Sequence, residues 1–328
     1  MAEYTFQSSL AKRITTFVAL KQLSGTPYKT PSLILKYFDR FLVREKFKRG
    51  YLTRPIYDSY IATLSNLCPQ YRANQCLLIR RFSIYLSRFK PKCYIPDPAH
   101  AERPQKNWRA YIFSKDQIQD ILATPGKMKF GHQNGKWLSP HTYRTLFGLL
   151  YTTGVRIGEA LALNIEDFHP DTLRLHIRKG KFHKARWVPL SQSTGAVLAE
   201  YVTLRQRIIA KGNGPPPVFI SQNRTRLGDE AVYQAFYKIL EQCGIHKTKK
   251  LGPRVHDLRH TFAVHCLLAW YRDGEDINVR LPALATYMGH VHISSTQVYL
   301  QATPELYEYA SHRFLTYVHN NEITKGDF

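Results

Sequence analysis

Apolar residues recur through the first hundred positions with the period of an α-helix. Ile34, Phe38, Phe41 and Leu42 fall at i, i+4, i+7 and i+8, and Leu78, Phe82, Tyr85 and Leu86 repeat the spacing. The pattern predicts a small bundle of about four helices. Between these apolar positions lie Lys36, Arg40, Arg44, Lys46, Lys48, Arg49, Arg80, Arg81 and Arg88, which the same periodicity places on exposed faces. Pro96, Pro98 and Pro104 then follow in one short stretch; each removes a backbone donor and biases its predecessor toward extended geometry. Residues 96–110 are therefore predicted to link a helical domain, 1–95, to a second domain, 111–328.

Downstream the pattern changes type. Ser114 and Gln117 have the spacing of a capping box and predict a helix running through Leu122. The stretch YRTLFGLLYTTGVRIGEALAL, 143–163, predicts two helices hinged at Gly154. TLRLHIRKGKFHKARWVPL, 172–190, alternates on both sides of a Gly-containing basic turn and predicts a β-hairpin. Further helices are predicted near 193–210, 229–243, 255–270, 281–288, 294–301 and 304–318, with Ser294 as an N-cap. The fold class that results is mainly α with a small β-sheet or hairpin (α+β), in two domains, as 328 residues allow.

Charge adds a partner to this picture. Lys and Arg number 47 against 24 Asp and Glu, a net charge of +23 that favours binding a polyanion, with nucleic acid first among them. Residues 1–105 carry 18 basic and 6 acidic residues, and 106–328 carry 29 and 18, so the positive charge is denser in the first domain. Cys68, Cys76, Cys93, Cys243 and Cys266 form no C-x-x-C pair, which argues for reduced thiols rather than a disulfide framework or a zinc knuckle. No apolar run approaches the roughly 20 residues of a membrane span. A cytoplasmic, membrane-free protein is expected.

The densest chemistry lies in RVHDLRHTFAVHC, 254–266. On a helix His256, Arg259 and His260 project from one face, opposite Leu258, Phe262, Cys266 and Trp270. A histidine pair at this spacing can hold zinc, but the H-E-x-x-H glutamate is missing and a permanent cation stands between the two rings. A packing role for each histidine and an oxyanion clamp built around Arg259 remain the competing readings. A clamp calls for further parts. Arg156 follows a Gly-hinged turn at the head of an apolar helix, within reach of an ion pair with Glu159 at i+3. Lys181 sits in a hairpin turn suited either to solvent or to proton donation, His290 stands just past a helix end, and Tyr299 lies on the short helix that follows.

Taken together these residues resemble the active-site set of the tyrosine recombinase (phage integrase) family, in the family's order. TTGVRIGEALAL resembles the first arginine box, GK followed without gaps by VPL resembles the Xer-type lysine hairpin, and HDLRHTFA with YMGHVHISSTQVYL resembles the second box. The LLAWYRDGEDINVRLPALATYMGH and YLQATPELY stretches are similar to recombinases carried by transposons and insertion elements. The resemblance is specific over about residues 143–310; the first domain matches in size, charge and helicity alone.

The resemblance implies a site-specific recombinase that acts in integration, excision or transposition of a mobile element. It implies Tyr299 as the nucleophile that leaves a 3′-phosphotyrosyl link, with Arg156 and Arg259 on the nonbridging oxygens. His290 would donate to the same phosphate, Lys181 would be general acid on the 5′-oxygen and His256 an assisting acid/base. No cofactor, divalent ion or ATP is implied. The implied fold is a SAM-like helical core-binding domain plus the catalytic domain, closing on double-stranded DNA as a C-shaped clamp, with four protomers, alone or with sibling recombinases, acting together. His260 falls beside this set rather than in it, and His265 outside it. Residues 302–328, with Leu306, Tyr309 and Phe314, predict an amphipathic helix that docks on its own core or on a neighbouring protomer. The segment 126–140 is an insertion relative to the compact family pattern. A type IB topoisomerase and a DNA-binding module without catalysis are the alternative readings.

Overall fold

A computed structural model describes residues 4–25, 28–98, 110–128, 138–178, 185–208, 216–246, 252–290 and 292–301, with Ser311 and Leu315. The chain divides into two compact units, Met1–Asn107 and Trp108–Phe328. Lys181, in the turn of the predicted hairpin, and nearly all of the predicted helix 304–318 lie outside the described residues.

The first unit contains α1 (Ala11–Leu23), α2 (Lys29–Arg44), α3 (Arg54–Ala62) and α4 (Pro69–Ser87). Their apolar stripes form one core in which Leu10, Ile14, Leu35, Phe38, Leu42, Ile79 and Phe82 are completely buried. Prolines at the heads of α3 and α4 occupy positions where no helical donor is lost. Buried Asp39 accepts hydrogen bonds from the backbone N–H groups of Gln7 (2.8 Å) and Ser8 (3.0 Å), tying the N-terminal segment to α2. Arg40, Arg44, Lys46, Lys48, Arg49, Arg81 and Arg88 are exposed, as the periodicity predicts, whereas Lys36 and Arg80 are half-buried. Arg80 donates to the carbonyl of Pro96 (2.6 Å) and so fastens the start of the proline-rich stretch.

The second unit opens with α5 (Lys115–Ala123), capped by the reciprocal Ser114–Gln117 box that the sequence predicts. It continues through α6 (Leu138–Thr153), α7 (Ile157–Ala162), β1 (Phe168–His169), β2 (Arg174–Ile177), β3 (Arg186–Pro189), α8 (Gln192–Ile208), α9 (Asp229–Gln242), α10 (Val255–Arg272), α11 (Ile277–Met288) and α12 (Ser294–Gln297). A 3-10 turn, Val298–Gln301, follows α12 and carries Tyr299. The predicted hairpin is present as β2 and β3, antiparallel with Leu175 opposite Val188 and Ile177 opposite Arg186, and β1 joins it to make a three-stranded sheet in the order β1-β2-β3. Leu175, Ile177 and Val188 face the core, while His176 stacks on exposed Trp187 on the other face.

Three details differ from the sequence reading. The segment 126–140 contributes its last three residues to α6, which starts at Leu138. α11 starts four residues before 281, because Asp276 caps it by accepting from the N–H of Asn278 (2.8 Å). Pro282 falls in its second turn, where the missing donor concerns one carbonyl alone. Ser294 is not an N-cap: Ile293 holds that position with helical dihedrals, and no side chain caps the turn.

Two apolar clusters fill this unit. One is centred on Phe113, Leu146, Phe147, Leu175, Val188, Phe219 and Phe236; the other joins Ala263, Val264 and Leu267 of α10 to Leu284 and Met288 of α11 and to Tyr299. α10 runs from the first cluster into the second, so its N-terminal half, which carries Arg259, is fixed from both sides. No helix among the described residues is long and apolar enough to cross a membrane.

Candidate active site

The site is organised by the C-terminal end of α11. The last carbonyls of a helix have no partner within it and carry its negative dipole end, so they attract cations. Here three consecutive carbonyls each receive a different arginine. Tyr287 O accepts from Nε of Arg186 (3.0 Å), Met288 O from Nη2 of Arg259 (2.7 Å), and Gly289 O from Nη2 of Arg156 (3.0 Å). Gly289 closes the helix in the left-handed region, φ +68°, a conformation that glycine adopts without strain. Its bare Cα also leaves room for Arg186, whose Nη1 would stand 3.0 Å from a Cβ.

Two of these guanidinium groups share one carboxylate. Glu159 is buried, receives Arg156 Nη1 on Oε1 (2.9 Å), and is gripped by Arg186 from both nitrogens, Nη1 to Oε1 (3.0 Å) and Nη2 to Oε2 (2.8 Å). The backbone N–H of Arg156 also donates to Oε2 (2.9 Å), which caps α7. Burial alone would raise the Glu159 pKa, but the Arg186 hydrogen bonds, with the Arg156 amide and both positive charges, hold it down at about 2. The sequence suggested the Arg156–Glu159 pair. Arg186 escaped notice because its partner lies 27 residues away.

Arg259 is 2% exposed and has no carboxylate partner among its described hydrogen bonds. Its Nη1 donates to the carbonyl of Gly154, at the hinge between α6 and α7. Burial, then the nearby Arg156, lowers its pKa to about 10. His290 follows Gly289 directly; its Nε2 is 2.9 Å from Nη2 of Arg259, and its Nδ1 is 2.7 Å from Oγ1 of the fully buried Thr296. Tyr299 is 4% exposed, with its ring stacked on His290 at 6.2 Å between centroids and inclined by 28°, and its hydroxyl 3.0 Å from Nδ1 of His260. Burial pushes the phenol pKa up, while Arg259 and Arg156 pull it back.

His256 stands at the open edge of the group, its ring edge-on to His260 at 4.7 Å. Burial lowers the pKa of His260 and His290, and neighbouring positive groups lower it further, to about 3 for His260 and about 4 for His290. His265 faces elsewhere, bonded through Nδ1 to the hydroxyl of Tyr151 (3.0 Å). The structure thus gathers Arg156, Arg259, His290 and Tyr299, with His256 at the rim, from four separate stretches of sequence. It adds Glu159, Arg186, His260 and Thr296 as their supports. Among the described residues no group of three or more His, Cys, Asp or Glu side chains is arranged to hold a metal ion.

Two neighbouring arginines, an imidazole and a phenol can together receive a tetrahedral oxyanion with a nucleophile beside it. Residues 112–305 match the model of the phage integrase family. The chain is 38% identical over 246 residues to integrase/recombinase y4rB of Sinorhizobium fredii, covering 75% of this chain and 78% of that one. It is 32% identical over 216 residues to the tyrosine recombinase XerD of Oceanobacillus iheyensis, 63% of each chain. The fold is shared with the Tn1549 transposon integrase in complex with transposon right end DNA, at TM-score 0.65 and 14% identity over 94% of this chain and all of that one. It is shared too with the XerH recombinase bound to its difH substrate, at TM-score 0.62 and 19% identity over 86% and 78%. The chain belongs to the phage integrase family and is a tyrosine recombinase, an enzyme of site-specific recombination that cuts and rejoins DNA.

Proposed function

We propose that this recombinase serves the integration, excision or transposition of a mobile element, and that Tyr299 attacks a phosphodiester of double-stranded DNA to form a covalent 3′-phosphotyrosyl intermediate. The observation that carries this reading is the placement of Arg156 and Arg259 on successive carbonyls, Gly289 and Met288, directly before His290 and beside the Tyr299 ring. A scissile phosphate seated there meets both guanidinium groups on its nonbridging oxygens, where charge grows as phosphorus becomes five-coordinate. His290 hydrogen-bonds the same phosphate. Lys181 protonates the departing 5′-oxygen, and His256, at the solvent edge, assists proton exchange.

The two arginines supply the positive charge that a divalent ion supplies elsewhere, so the reaction needs no metal. The phosphotyrosyl diester keeps the energy of the broken bond, so a 5′-hydroxyl reseals the strand without ATP. The net charge of +23 and the exposed arginines and lysines of the first unit support binding of duplex DNA by both units. Exchange of two duplexes requires four active protomers, alone or with sibling recombinases, acting in the cytoplasm at the nucleoid.

The test uses nicked duplexes cut from the DNA that flanks the gene, on which the released strand cannot religate. The unaltered chain forms a covalent adduct; Tyr299→Phe binds with the same affinity and forms none. An adduct that survives Tyr299→Phe removes Tyr299 from the nucleophile's role.

A further inference from the structure

The hydroxyl of Tyr299 must lose its proton when it attacks, and we propose that His260 is the base that takes it. The inference rests on Tyr299 being the nucleophile. Among the described residues, Nδ1 of His260 is the basic atom hydrogen-bonded to the Tyr299 hydroxyl, at 3.0 Å, with the rings 5.4 Å apart and inclined by 57°. On its other side Nε2 faces Oδ1 of the buried Asp257 at 4.0 Å. That distance is too long for a hydrogen bond, so the tautomer is set by the phenol: its O–H needs an acceptor, which places the ring proton on Nε2 and the lone pair on Nδ1. Arg259, beside the same hydroxyl oxygen, can only donate, so the phenolic hydrogen has Nδ1 as its acceptor. His256, one turn earlier on α10, is edge-on to His260, and its ring has no described hydrogen bond to Tyr299.

Among the described residues, three elements around His260 bear on its protonation. Arg254, His256, Asp257 and Arg259 come from α10 and its cap, His290 from the turn after α11, and Tyr299 from the last 3-10 turn. Burial first, then His256, Arg254, Arg259 and His290, keep the ring neutral and its lone pair available. A phosphate at the arginines brings negative charge to the same cations that hold proton affinity down, so the base strengthens when substrate arrives. In the cleavage step the Tyr299 oxygen–phosphorus bond forms and the phosphorus–O5′ bond breaks. The phenolic proton moves to Nδ1 of His260, while the leaving 5′-oxygen takes a proton from the general acid assigned to Lys181. Religation returns the His260 proton to the phenol, and no other reactant is consumed.

Asn in place of His260 sets a carboxamide oxygen near the position of Nδ1; it accepts the hydrogen bond but cannot take a proton. The experiment follows single-turnover adduct formation by the full chain, from pH 6 to 9.5, on the nicked flanking duplex described above. His260→Asn is expected to bind that duplex normally and to cleave it roughly 10²–10⁴-fold more slowly at pH 7. Its log rate should climb with a slope of one against pH as hydroxide replaces the base. A 5′-bridging phosphorothiolate, whose thiolate leaves without a proton, should rescue Lys181→Ala and leave the His260→Asn deficit in place. His260→Gln and the melting temperature of each variant separate misfolding from lost chemistry. Rates and pH profile equal to those of the unaltered chain overturn the assignment, as does rescue of His260→Asn by the phosphorothiolate. Absence of an adduct from the unaltered chain, or an adduct retained by Tyr299→Phe, overturns the nucleophile reading and this inference with it.

Discussion

Nε2 of His290 lies 2.9 Å from Nη2 of Arg259. A guanidinium has no acceptor, so this imidazole nitrogen accepts, and the ring proton sits on Nδ1, donated to Oγ1 of Thr296. In that state His290 has no proton to offer a phosphate. When a phosphate oxygen takes over the Arg259 donor, Nε2 is released and gains an anion beside it, which raises the ring's pKa from about 4 toward neutrality. DNA binding is therefore expected to take up protons, more strongly near pH 6 than near pH 8. Calorimetric titration with the flanking duplex in buffers of different ionisation enthalpy measures the uptake. It should shrink in His290→Gln, and an equal uptake in that variant would refute the assignment.

Glu159 positions Arg156 and Arg186 at once. Replacing it by Gln leaves two partly buried guanidinium groups without their counter-charge, and loss of one partner of such a pair costs about 3 kcal/mol. Urea unfolding should show that loss in Glu159→Gln. Because the carboxyl pKa is depressed to about 2, the contribution is complete above the ordinary carboxylate value and disappears only as pH falls from about 4.5 toward 2.

Histidines dominate the pH range above that. The unfolded chain protonates His260 and His290 near pH 6.5, whereas the folded chain resists until about 3 and 4. The unfolded state thus holds more protons through this window, and the DNA-free protein should lose stability as pH falls from 6.5 to 4. The urea midpoint measured in steps of pH checks this, and His290→Gln should flatten part of the slope. A midpoint that stays level or rises on acidification would contradict the burial assigned to these rings.

How much of this was legible in the sequence follows from the range of each interaction. The helical periods of Ile34–Leu42 and Leu78–Leu86, the Ser114–Gln117 box and the position of His290 beyond a glycine depend on neighbours within one or two turns, and the fold keeps them. The family motifs located Arg156, Arg259, His290 and Tyr299, because their order along the chain is itself a pattern. Arg186 and Thr296 carried no such signal. Arg186 is one basic residue among several in a hairpin until Glu159 comes within 3.0 Å of it, and Thr296 is one of many short polar residues until His290 turns toward it. His260 shared a face with His256 and Arg259 by spacing, but its contact with Tyr299 depends on 39 residues of intervening fold.

Gly154 ties the hinge to the site, since its carbonyl accepts from Nη1 of Arg259. The residue has φ +59°, and a Cβ placed on it would stand 2.4 Å from Cδ1 of Phe262. Gly154→Ala therefore combines left-handed backbone strain with an overpacked contact, together about 3 kcal/mol. Relief of the clash requires either the Phe262 ring or the Gly154 peptide to move, and movement of the peptide shifts the anchor of Arg259. Urea unfolding should show the stability loss, and adduct formation on the nicked duplex should fall further than stability alone explains. Gly154→Ala with Phe262→Leu should recover the part due to the ring, leaving the backbone strain. If the double variant is no more stable than Gly154→Ala, the Phe262 contact does not limit this hinge.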